Sequence, residues 1–430
     1  MAANPNTMTF KTVFSAEYQL SHFKEPVYQI LADTRLEPDL TKGQIIARSW
    51  ASDVVANDMG ADGAYSTQAI VDTQETLTVN KEKEASIYIK KLDELQAHLP
   101  VKQKYGRKLA NALINQIDGD VLLAIYQGAG TVLDDGSFSG VAGNGFTTTE
   151  NNVATVFTTA MQKLRLNNRL SMNNKRFTSG MKIEDTEGMP VAAVSPEILT
   201  YIELYLGGKD TLLGDQVSRN GYSGYFMGFE LFLSNALPWT GTLTMATNPS
   251  DGDTTVINGV TFTWKTTLGA TAGNINICST AALSVANLVA SINAPGTTVT
   301  EATDAGFVAL SAANQRLLKN ITATDATTSV TIVASGWGTV VVSETLTAAA
   351  DVWTTTKQKL HCIFSMAKKA CSLVVQKNPS LEENFVSGKI GRDFIAWTVY
   401  GIKIFIDQAQ GIVELAVNSS AFTAALTTQK

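Results

Sequence analysis

The most reactive residue types in this 430-residue chain meet towards its C-terminal end, where His361 directly precedes Cys362 and Cys371 follows shortly after. A cysteine beside a histidine can supply a nucleophile and its base. These residues lie among apolar neighbours such as Ile363 and Leu373, a setting in which a cysteine is more often a small buried side chain. We therefore predict that Cys362 and Cys371 are packing residues and not nucleophiles.

A second candidate site is Asp-Gly-Asp at positions 251–253. Hard cations such as Ca²⁺ favour clustered carboxylate oxygens, and a calcium loop usually ends on a glutamate at its twelfth position. This sequence has no glutamate there and no further acids nearby. Because Asp and Gly are typical turn residues, the pattern predicts a tight turn that joins strands within the segment 242–265.

Charged residues form a third group. A cluster of basic residues is interleaved with Glu82, Glu84, Asp93 and Glu94, which favours contact with an acidic neighbouring subunit over a track for nucleic acid, the alternative. The basic residues are Lys81, Lys83, Lys90, Lys91, Lys102, Lys104, Arg107 and Lys108. Another set of acidic residues has polar neighbours and is predicted to be solvated surface, namely Asp72, Glu75, Glu184, Asp185 and Glu187.

The chain contains no GxSxG, GxxxxGK[ST], HExxH or CxxC motif, and the glycine-rich segments near Gly130 and Gly140 are typical of plain connections. Its three cysteines and three histidines lack metal-ligand spacing, which argues against a zinc site or a disulfide framework. The sequence therefore predicts no catalytic, cofactor-binding or metal-binding residue, no cofactor, and a protein that is not an enzyme.

The composition limits the classes of protein to which the chain can belong. The 44% hydrophobic content is enough for two or three domains with real cores, and the formal net charge of −6 argues against a surface that binds nucleic acid throughout. We find neither a leader sequence nor an apolar run of about 18 residues, the length that a membrane span requires. We therefore expect a protein made and kept in a reducing cytoplasm.

The elements that must position these residues begin with extended structure. The block 45–91 is typical of long extended structure. Its stretch TLTVNKEKEASIYIKK alternates Leu77 and Val79, then Ile87 and Ile89, with polar residues around the charged centre NKEKE, which predicts a two-stranded hairpin with a solvated tip. A helix follows over Gln103–Gln127 and ends at the Gly-Ala-Gly of 128–130. Its apolar stripe at i+4 spacing is Tyr105, Leu109, Leu113, Ile117, Val121 and Ile125, and Gly106 and Gly119 could bend or break it.

Further helices and strands follow in an α+β order. One amphipathic helix is predicted from Val153, Val156, Phe157, Ala160, Met161 and Leu164. A strand at MPVAAV leads to a helix with Ser195 as N-cap and Pro196 as its first residue, and another strand is predicted at YFMGFELFLSN. Near the C-terminus, Phe394, Ala396, Thr398 and Tyr400 alternate with other apolar residues, which predicts a strand buried on at least one face.

The sequence between these parts has a different composition. Residues 239–356 are poor in charge, rich in Thr, Ala and Val, and contain five strand candidates and one helix, AALSVANLVASIN. We interpret the segment as a self-sufficient β-rich domain inserted into a host. Phe262, Trp264 and Trp337 could stack on a sugar ring if they were exposed, although the core is the commoner place for such aromatics.

The order of these parts resembles a known family. An N-terminal arm, an extended hairpin, a long helix ending in YQGAG, then VAAVSPEILTYI, GFELFLSNALP and AWTVYGIKIFIDQAQGIVELAV, is similar to the major capsid (coat) proteins of tailed bacteriophages, which have the Hong Kong 97-type fold. The resemblance implies an N-terminal arm, an E-loop hairpin, the spine helix with the P domain and first part of the A domain, an inserted β-rich domain, and a return through the A and P domains. These are 1–48, 49–91, 92–238, 239–356 and 357–430 respectively.

The resemblance also implies a function. Such a protein self-assembles as hexamers and pentamers into the icosahedral shell around the double-stranded DNA genome, with scaffolding, portal and decoration proteins as partners, weak non-specific contact with the DNA, and no membrane. It would be found in the virion capsid, and in the host cytoplasm during assembly. The alternatives are a tail-tube component, or a surface-binding module carried by the insert. Lys81 or Lys83 at the hairpin tip is a conceivable cross-link donor, but no acceptor asparagine or catalytic carboxylate is identifiable by motif, so the sequence does not decide whether subunits are cross-linked.

Overall fold

The computed structural model describes residues 26–40, 42–51, 54–59, 65, 67–92, 101–167, 189–209, 224–302, 304–386 and 388–420. Helices α1 to α7 of this part are, in chain order, Tyr28–Leu31, Val101–Gln127, Val153–Leu166, Pro196–Gly207, Ala281–Asn293, Ala312–Leu317 and Ile406–Ala409. Short 3-10 turns lie at Pro38–Leu40, Asp135–Phe138 and Thr355–Lys357.

The strands of the described part are β1 to β21. The first eight, in chain order, are Ala32–Asp33, Ile45–Ala51, Asp72–Thr78, Lys81–Lys90, Thr131–Leu133, Pro190–Val194, Tyr225–Phe226 and Phe229–Leu233. Strands β9 to β17 are Trp239–Thr244, Thr254–Ile257, Val260–Lys265, Asn274–Asn276, Val299–Ala302, Ala305–Phe307, Ile321–Asp325, Ser329–Ala334 and Val342–Glu344. The last four are Lys359–Met366, Cys371–Phe385, Gly391–Lys403 and Val413–Asn418.

These strands form four sheets, which confirms an α+β protein. A four-stranded sheet has the order β1-β19-β20-β4, and a six-stranded sheet has the order β13-β14-β12-β11-β10-β17. The largest sheet has nine strands: β15-β16-β9-β18-β6-β8-β7 form its path, while β21 pairs with β18 and β5 with β21. Strands β2 and β3 form a two-stranded ribbon of their own.

Helix α2 is the long helix that the i+4 stripe predicts. Leu109 and Leu113 pack with Phe394 and Ala396 of β20, while Ile117 and the residues after it enter the main core. Neither glycine interrupts the helix. A Cβ atom on Gly119 would lie 3.4 Å from the backbone of Gly336, so this glycine allows two backbones to approach closely.

The two following helices also agree with their sequence patterns. In α3, all six residues of the predicted stripe are buried, and the Phe157 ring meets Phe226 and Phe364 edge to face at 4.9 Å between centroids. Helix α4 begins at the predicted Pro196, and the Ser195 hydroxyl accepts a hydrogen bond from Ile198 N at 3.4 Å. Local patterns therefore placed both helices correctly.

The predicted hairpin around NKEKE is wrong. Strand β3 pairs antiparallel with β2, and β4 pairs with β20, so the chain crosses between two sheets at residues 79–80. The KEKE of NKEKE is the paired first part of β4 and not a tip. The alternating residues of 76–91 do form strands, but each strand pairs with a partner distant in sequence. The connection at the far end of the ribbon is instead residues 52–71, which we call the connecting loop.

Residues 239–356 contain the predicted helix, which is α5, and the whole six-stranded sheet. Their strands β9, β15 and β16 belong to the nine-stranded sheet, where β9 pairs with β18. Asp351 fastens the two ends of the segment together, because its carboxylate accepts from Ala246 N at 2.7 Å and from Thr247 N at 3.2 Å. The predicted self-sufficient domain therefore shares a sheet with the rest of the chain.

The tight turn predicted at 251–253 is confirmed. Asp251 and Gly252 form a turn that joins β9 to β10, which lie in different sheets. The hairpin of this segment lies one strand later, where Asn258 and Gly259, with φ of +50° and +80°, join β10 to β11.

The outermost strand of the nine-stranded sheet, β15, is bonded along its outer side by a side chain. The Asn293 amide of α5 donates to Ala323 O at 2.8 Å and accepts from Ala323 N at 2.9 Å. A single residue thereby occupies a donor and an acceptor that an edge strand otherwise presents to solvent.

Among the described residues, no helix combines the length and the apolar character that crossing a membrane requires.

Candidate functional site

The structure brings His361 together with a hydroxyl and a carboxylate, not with a thiol. His361 Nε2 lies 2.8 Å from Thr240 Oγ1, and its Nδ1 is hydrogen-bonded to Glu414 Oε1. The order of these groups is that of a nucleophile, a base and an orienting acid. All three side chains are buried, however, and the Tyr126 ring lies 4.2 Å from the imidazole. No substrate could reach the hydroxyl, so the arrangement is a structural network between β9, β18 and β21.

The two cysteines near His361 are packing residues, as predicted. Cys362 and Cys371 are buried free thiols, and burial raises the pKa of each to about 12. A thiol with so high a pKa holds almost no thiolate at neutral pH, and the thiolate is the nucleophile. Burial likewise lowers the pKa of His361 from its ordinary value, an effect that the contact with Glu414 partly offsets.

Lys81 lies at a second buried polar cluster and not at a hairpin tip, which corrects its place in the cross-link hypothesis. Its Nζ lies 3.2 Å from Asp120 Oδ2 of α2, and the Tyr400 hydroxyl donates to the same oxygen at 2.7 Å. Gln116 donates to Asp120 Oδ1 at 3.0 Å and also exchanges hydrogen bonds with Asn320. The cluster fastens β4, β20 and the chain before β15 to the long helix.

The acidic residues predicted to be solvated have different positions. Asp72 is exposed, whereas Glu75 is buried and accepts a hydrogen bond from Ile406 N at 3.0 Å, so the prediction for Glu75 is wrong. Glu184, Asp185 and Glu187 lie outside the described residues. The alternation of β3 did not reveal that α7 covers this position.

Asp251 and Asp253 serve the turn. Asp251 accepts from Thr266 N at 2.9 Å, and Asp253 accepts from Ser250 N at 2.8 Å and from the Thr347 hydroxyl at 2.9 Å. No cluster of three or more His, Cys, Asp or Glu side chains suited to a metal ion occurs in the part of the chain that the structure describes.

Two of the three candidate sugar-stacking aromatics are inaccessible. Phe262 and Trp264 are fully buried in the six-stranded sheet, where Trp264 Nε1 donates to Thr255 Oγ1 at 3.2 Å. Trp337 is 36% exposed, and its indole N–H donates to Lys319 O at 2.7 Å. The interpretation of Phe262 and Trp264 as core residues is confirmed.

Among the described residues, the connecting loop exposes several apolar side chains. Tyr65 is 82% and Ile70 77% exposed, and Val54, Val55, Met59 and Val71 are also exposed. Single exposed apolar residues are ordinary, but a group of this kind on a projecting segment is typical of a contact surface. Residues 51–71 also hold three aspartates and no lysine or arginine, so the loop is acidic.

A second exposed apolar group lies where β4 ends beside the turn between β19 and β20. Residues 88–91, 385–386 and 388–392 form this surface, which we call the basic knob. Phe385 is 81% and Ile390 84% exposed; the Arg392 guanidinium lies 5.0 Å from the Phe385 ring, and Lys389 Nζ lies 5.6 Å from the Tyr88 ring. Arg392 is paired with Glu383 at 3.0 Å, so the net positive charge of this apolar knob comes from Lys90, Lys91 and Lys389.

The knob takes up only part of the predicted basic cluster. Lys90 and Lys91 belong to it, Lys81 is paired with Asp120, and Arg107 and Lys108 are exposed on α2. The side chains of Lys102 and Lys104 lie outside the described residues. Lys389 and Arg392 were missed, because they join Lys90 only through the pairing of β20 with β4. The loop and the knob have opposite charges and similar apolar character, so each has the chemistry to bind the other on a second copy.

Comparison with solved structures identifies chains of the same fold. A chain from a structure of Mycobacterium phage Che8 is 14% identical, and the match covers 96% of this chain and 98% of that one with a TM-score of 0.54. A chain from the capsid structure of cyanophage P-SCSP1u is 12% identical over 95% of this chain and 93% of that one, with a TM-score of 0.50. No model of a protein family matches the chain, and no curated protein matches its sequence.

Proposed function

We propose that this protein is the major capsid protein of a tailed phage, which self-assembles into the icosahedral shell around the double-stranded DNA genome. The fold shared with a chain of a cyanophage capsid over 95% of the sequence supports the proposal. The observation that carries it is the connecting loop, whose apolar side chains, Tyr65 and Ile70 among them, are exposed in the described part of the subunit. Many copies that cover one another's loops would close into a shell.

The finer assignment is a Hong Kong 97-type fold. Helix α2 corresponds to the spine helix of the P domain, and the β2–β3 ribbon with its loop corresponds to the E-loop. Residues 1–48 would be the N-terminal arm, 239–356 the inserted β-rich domain, and 357–430 the return through the A and P domains. The paired strands that reach the loop are Ile45–Ala51 and Asp72–Thr78, which suggests an E-loop of 45–78 in place of 49–91.

Assembly would use the loop and the knob of neighbouring copies. The exposed Tyr65 and Ile70 of one subunit would pack against Phe385 and Ile390 of the next, with the aspartates of the loop facing Lys389 and Arg392. Surface charge pairs contribute little affinity individually but set orientation and association rate, while apolar burial supplies the free energy. Because each subunit meets several neighbours, modest contacts are sufficient for a stable shell.

The same proposal gives the partners and the location. The subunits would form hexamers and pentamers, meet scaffolding, portal and decoration proteins, and touch the packaged DNA weakly, as the net charge of −6 suggests. The protein would reside in the virion capsid, after assembly in the host cytoplasm. Of the alternatives, a tail-tube component is disfavoured by the 27-residue helix α2, and a surface-binding module by the burial of Phe262 and Trp264.

Electron microscopy of the purified or co-expressed protein tests the proposal. We expect closed shells with hexamers and pentamers. A protein that stays a soluble monomer under all conditions, including with phage proteins co-expressed from the same genome, would contradict it.

A charge exchange tests the contact between loop and knob. Lys389→Asp places a negative charge opposite the acidic loop, so we expect fewer shells by at least tenfold, and Asp58→Lys in the same chain should restore them. Arg165→Asp, which reverses an exposed charge on α3 outside the knob, is the matched control and should assemble normally. Equal assembly of all three variants would argue against this contact.

A further inference from the structure

The β2–β3 ribbon carries the connecting loop, but its strands make no ladder with the other sheets of the described part. Its seven-residue strands reach about 23 Å from the base, at roughly 3.3 Å per residue. A rotation of about 10° at the base would move a point about 30 Å away by about 5 Å, which follows from the length of such strands. The direction of the loop therefore depends on the contacts that hold the ribbon.

The base packs in an apolar cluster of Leu77, Val79, Val374 and Phe405. Two polar side-chain contacts hold the ribbon at its fourth residue pair, about 10 Å above the base, and both reach the same short segment. Arg48 Nη2 of β2 lies 2.7 Å from Asp407 Oδ2, and Glu75 Oε1 of β3 accepts from Ile406 N at 3.0 Å. The Arg48 guanidinium also lies 5.1 Å from the Phe405 ring. Arg48 and Glu75 are direct partners across the ribbon, so each strand is held at the same level.

The other side of this segment is fixed to the body. Gly130 N, just after the long helix, donates to Ala409 O at 2.9 Å. A Cβ atom on Gly128 would lie 2.6 Å from Ile404 Cδ1, and one on Gly130 would lie 2.5 Å from Ala409 O. The Gly-Ala-Gly that ends the helix therefore lets the two chain segments approach closely.

Gln408 completes the attachment. Its amide donates to Ser372 Oγ of β19 at 2.9 Å and accepts from Phe405 N at 3.1 Å. Residues 404–409 therefore contact the end of α2, the first residues of β19 and both strands of the ribbon.

The polar groups at this point are not arranged for stability alone. Within the described part of the chain, Glu75 Oε2 and Asp407 Oδ1 are buried atoms without a hydrogen-bond partner, while the Arg48 side chain is 40% and that of Asp407 24% exposed. A partly exposed ion pair contributes about 0–1 kcal/mol of stability. The pair and the two unsatisfied oxygens therefore add little to stability, which is consistent with a role in fixing direction.

We infer that residues 404–409 are a bracket that sets the direction of the connecting loop relative to the long helix, and that Arg48 is its positioning residue. Only the effect of the bracket on assembly rests on the proposed function, because a misdirected loop would not meet the knob of the neighbouring subunit. The bracket itself is a property of the single subunit and can be measured without assembly.

The test is a distance measurement between spin labels in the unassembled full-length chain. Ile70→Cys and Arg107→Cys are exposed positions on the loop and on α2, and Cys278, Cys362 and Cys371 are buried, so labelling is selective. We expect one narrow distance distribution for the parent chain. Arg48→Leu should broaden this distance distribution or shift its mean by about 5 Å, as a rotation of the ribbon by about 10° would do.

Rescue and control variants separate positioning from folding. The exchange Arg48→Asp with Asp407→Arg restores the pair in reverse order and should narrow the distribution again, although Glu75 then faces an aspartate. Asp407→Asn removes the charge while keeping the shape, and covers the case in which Arg48→Leu fails to fold. Lys265→Ala, which breaks the exposed pair with Asp251, should leave the distance unchanged.

An unchanged distance distribution in both Arg48→Leu and Asp407→Asn would overturn the bracket, whatever the parent protein does in assembly. A misdirected loop in a protein that never forms shells would support the bracket and refute the proposed function. Misdirected loops with closed shells of normal diameter would show that the loop direction has no role in assembly.

Discussion

The connecting loop and the segment 239–356 differ in where their apolar side chains lie. The segment buries most of its large aromatic side chains, among them Trp239, Trp264 and Phe262. The loop leaves Tyr65 and Ile70 mostly exposed. Burial of apolar surface is the main favourable free energy in folding and in association. In the segment this burial stabilises the subunit itself, whereas in the described part of the subunit the exposed side chains of the loop contribute little of it.

The polar groups of the two regions follow the same division. In the segment, Asp351 and Asp253 each accept several hydrogen bonds from backbone and hydroxyl groups. At the middle of the ribbon, one oxygen of Glu75 and one of Asp407 are buried and have no hydrogen-bond partner among the described residues. Satisfied carboxylates stabilise a finished structure, and under-satisfied ones are expected where a structure is held for function.

The largest effect is expected from deletion of residues 240–350. It removes β15, β16 and most of β9 from the nine-stranded sheet and exposes the edge of β18, so the remaining chain should not fold. Replacing residues 54–70 by a short Gly-Ser turn should instead leave a folded subunit that does not assemble. Circular dichroism and gel filtration check both. A folded protein after the first deletion would mean that the segment is a separable insert.

Trp264→Ala in the segment and Tyr65→Ser in the loop test the difference between the two regions with single substitutions. The Trp264 side chain is fully buried, and removal of a buried large aromatic costs about 3–5 kcal/mol. Tyr65→Ser on the loop should change the free energy of unfolding by less than about 0.5 kcal/mol. Urea unfolding of the unassembled subunit measures both, and similar losses for the two variants would remove the distinction between the regions.

The His361 network predicts a pH dependence. Burial lowers the pKa of His361 from 6.5, so its protonated form is disfavoured in the folded state. The associated stability is complete above pH 6.5 and is lost as the pH falls below it. Glu414, Lys359 and Tyr126 are the titratable groups around it.

His361→Asn should flatten the stability profile between pH 7 and pH 5, and should cost about 1–3 kcal/mol at pH 7.5 because buried hydrogen bonds are lost. Urea unfolding at several pH values measures this. A variant with the same pH profile as the parent would assign the acid sensitivity to other groups.

Gly259→Ala should have a smaller effect. Its φ of +80° lies in the left-handed region, while the space around a new Cβ is open, so the cost is backbone strain alone, about 1 kcal/mol. Thermal unfolding measures the loss. Gly207→Ala, at the end of α4 with ordinary φ and open space, is the matched control and should not destabilise.

The smallest effect is expected at Asp251 and Asp253. Their carboxylates bind backbone and hydroxyl groups, so neither added Ca²⁺ nor a chelator should change the melting temperature. A calcium-dependent increase that Asp253→Asn abolishes would contradict the assignment of these residues to a turn.

Local patterns predicted much of the fold. The stripes of α2 and α3, the cap at Ser195, the helix α5 and the buried face of β20 with Phe394 and Tyr400 all depend on neighbours in sequence. Alternation identified β3 and β4 as strands but could not identify their partners, because pairing with β2 and β20 is decided by distant residues.

The same limit explains the errors at the candidate site. The burial of Glu75 requires α7, and the knob requires the pairing that brings Lys389 beside Lys90 and Tyr88. The extended pattern of 45–91 does not reveal that the apolar residues of the loop are exposed, because exposure is a tertiary property. Of the two turn sequences in the segment, Asn-Gly at 258–259 forms the hairpin, and composition alone does not rank it above Asp-Gly at 251–252.

The side-chain bonds from Asn293 to β15 have a consequence for newly made subunits. An open edge strand is a template on which other chains can add without regard to geometry, and such growth leads to aggregates. By occupying the backbone at Ala323, Asn293 makes that route less accessible while subunits are concentrated and not yet ordered. Association is then directed to surfaces whose recognition depends on side chains, and errors there remain reversible.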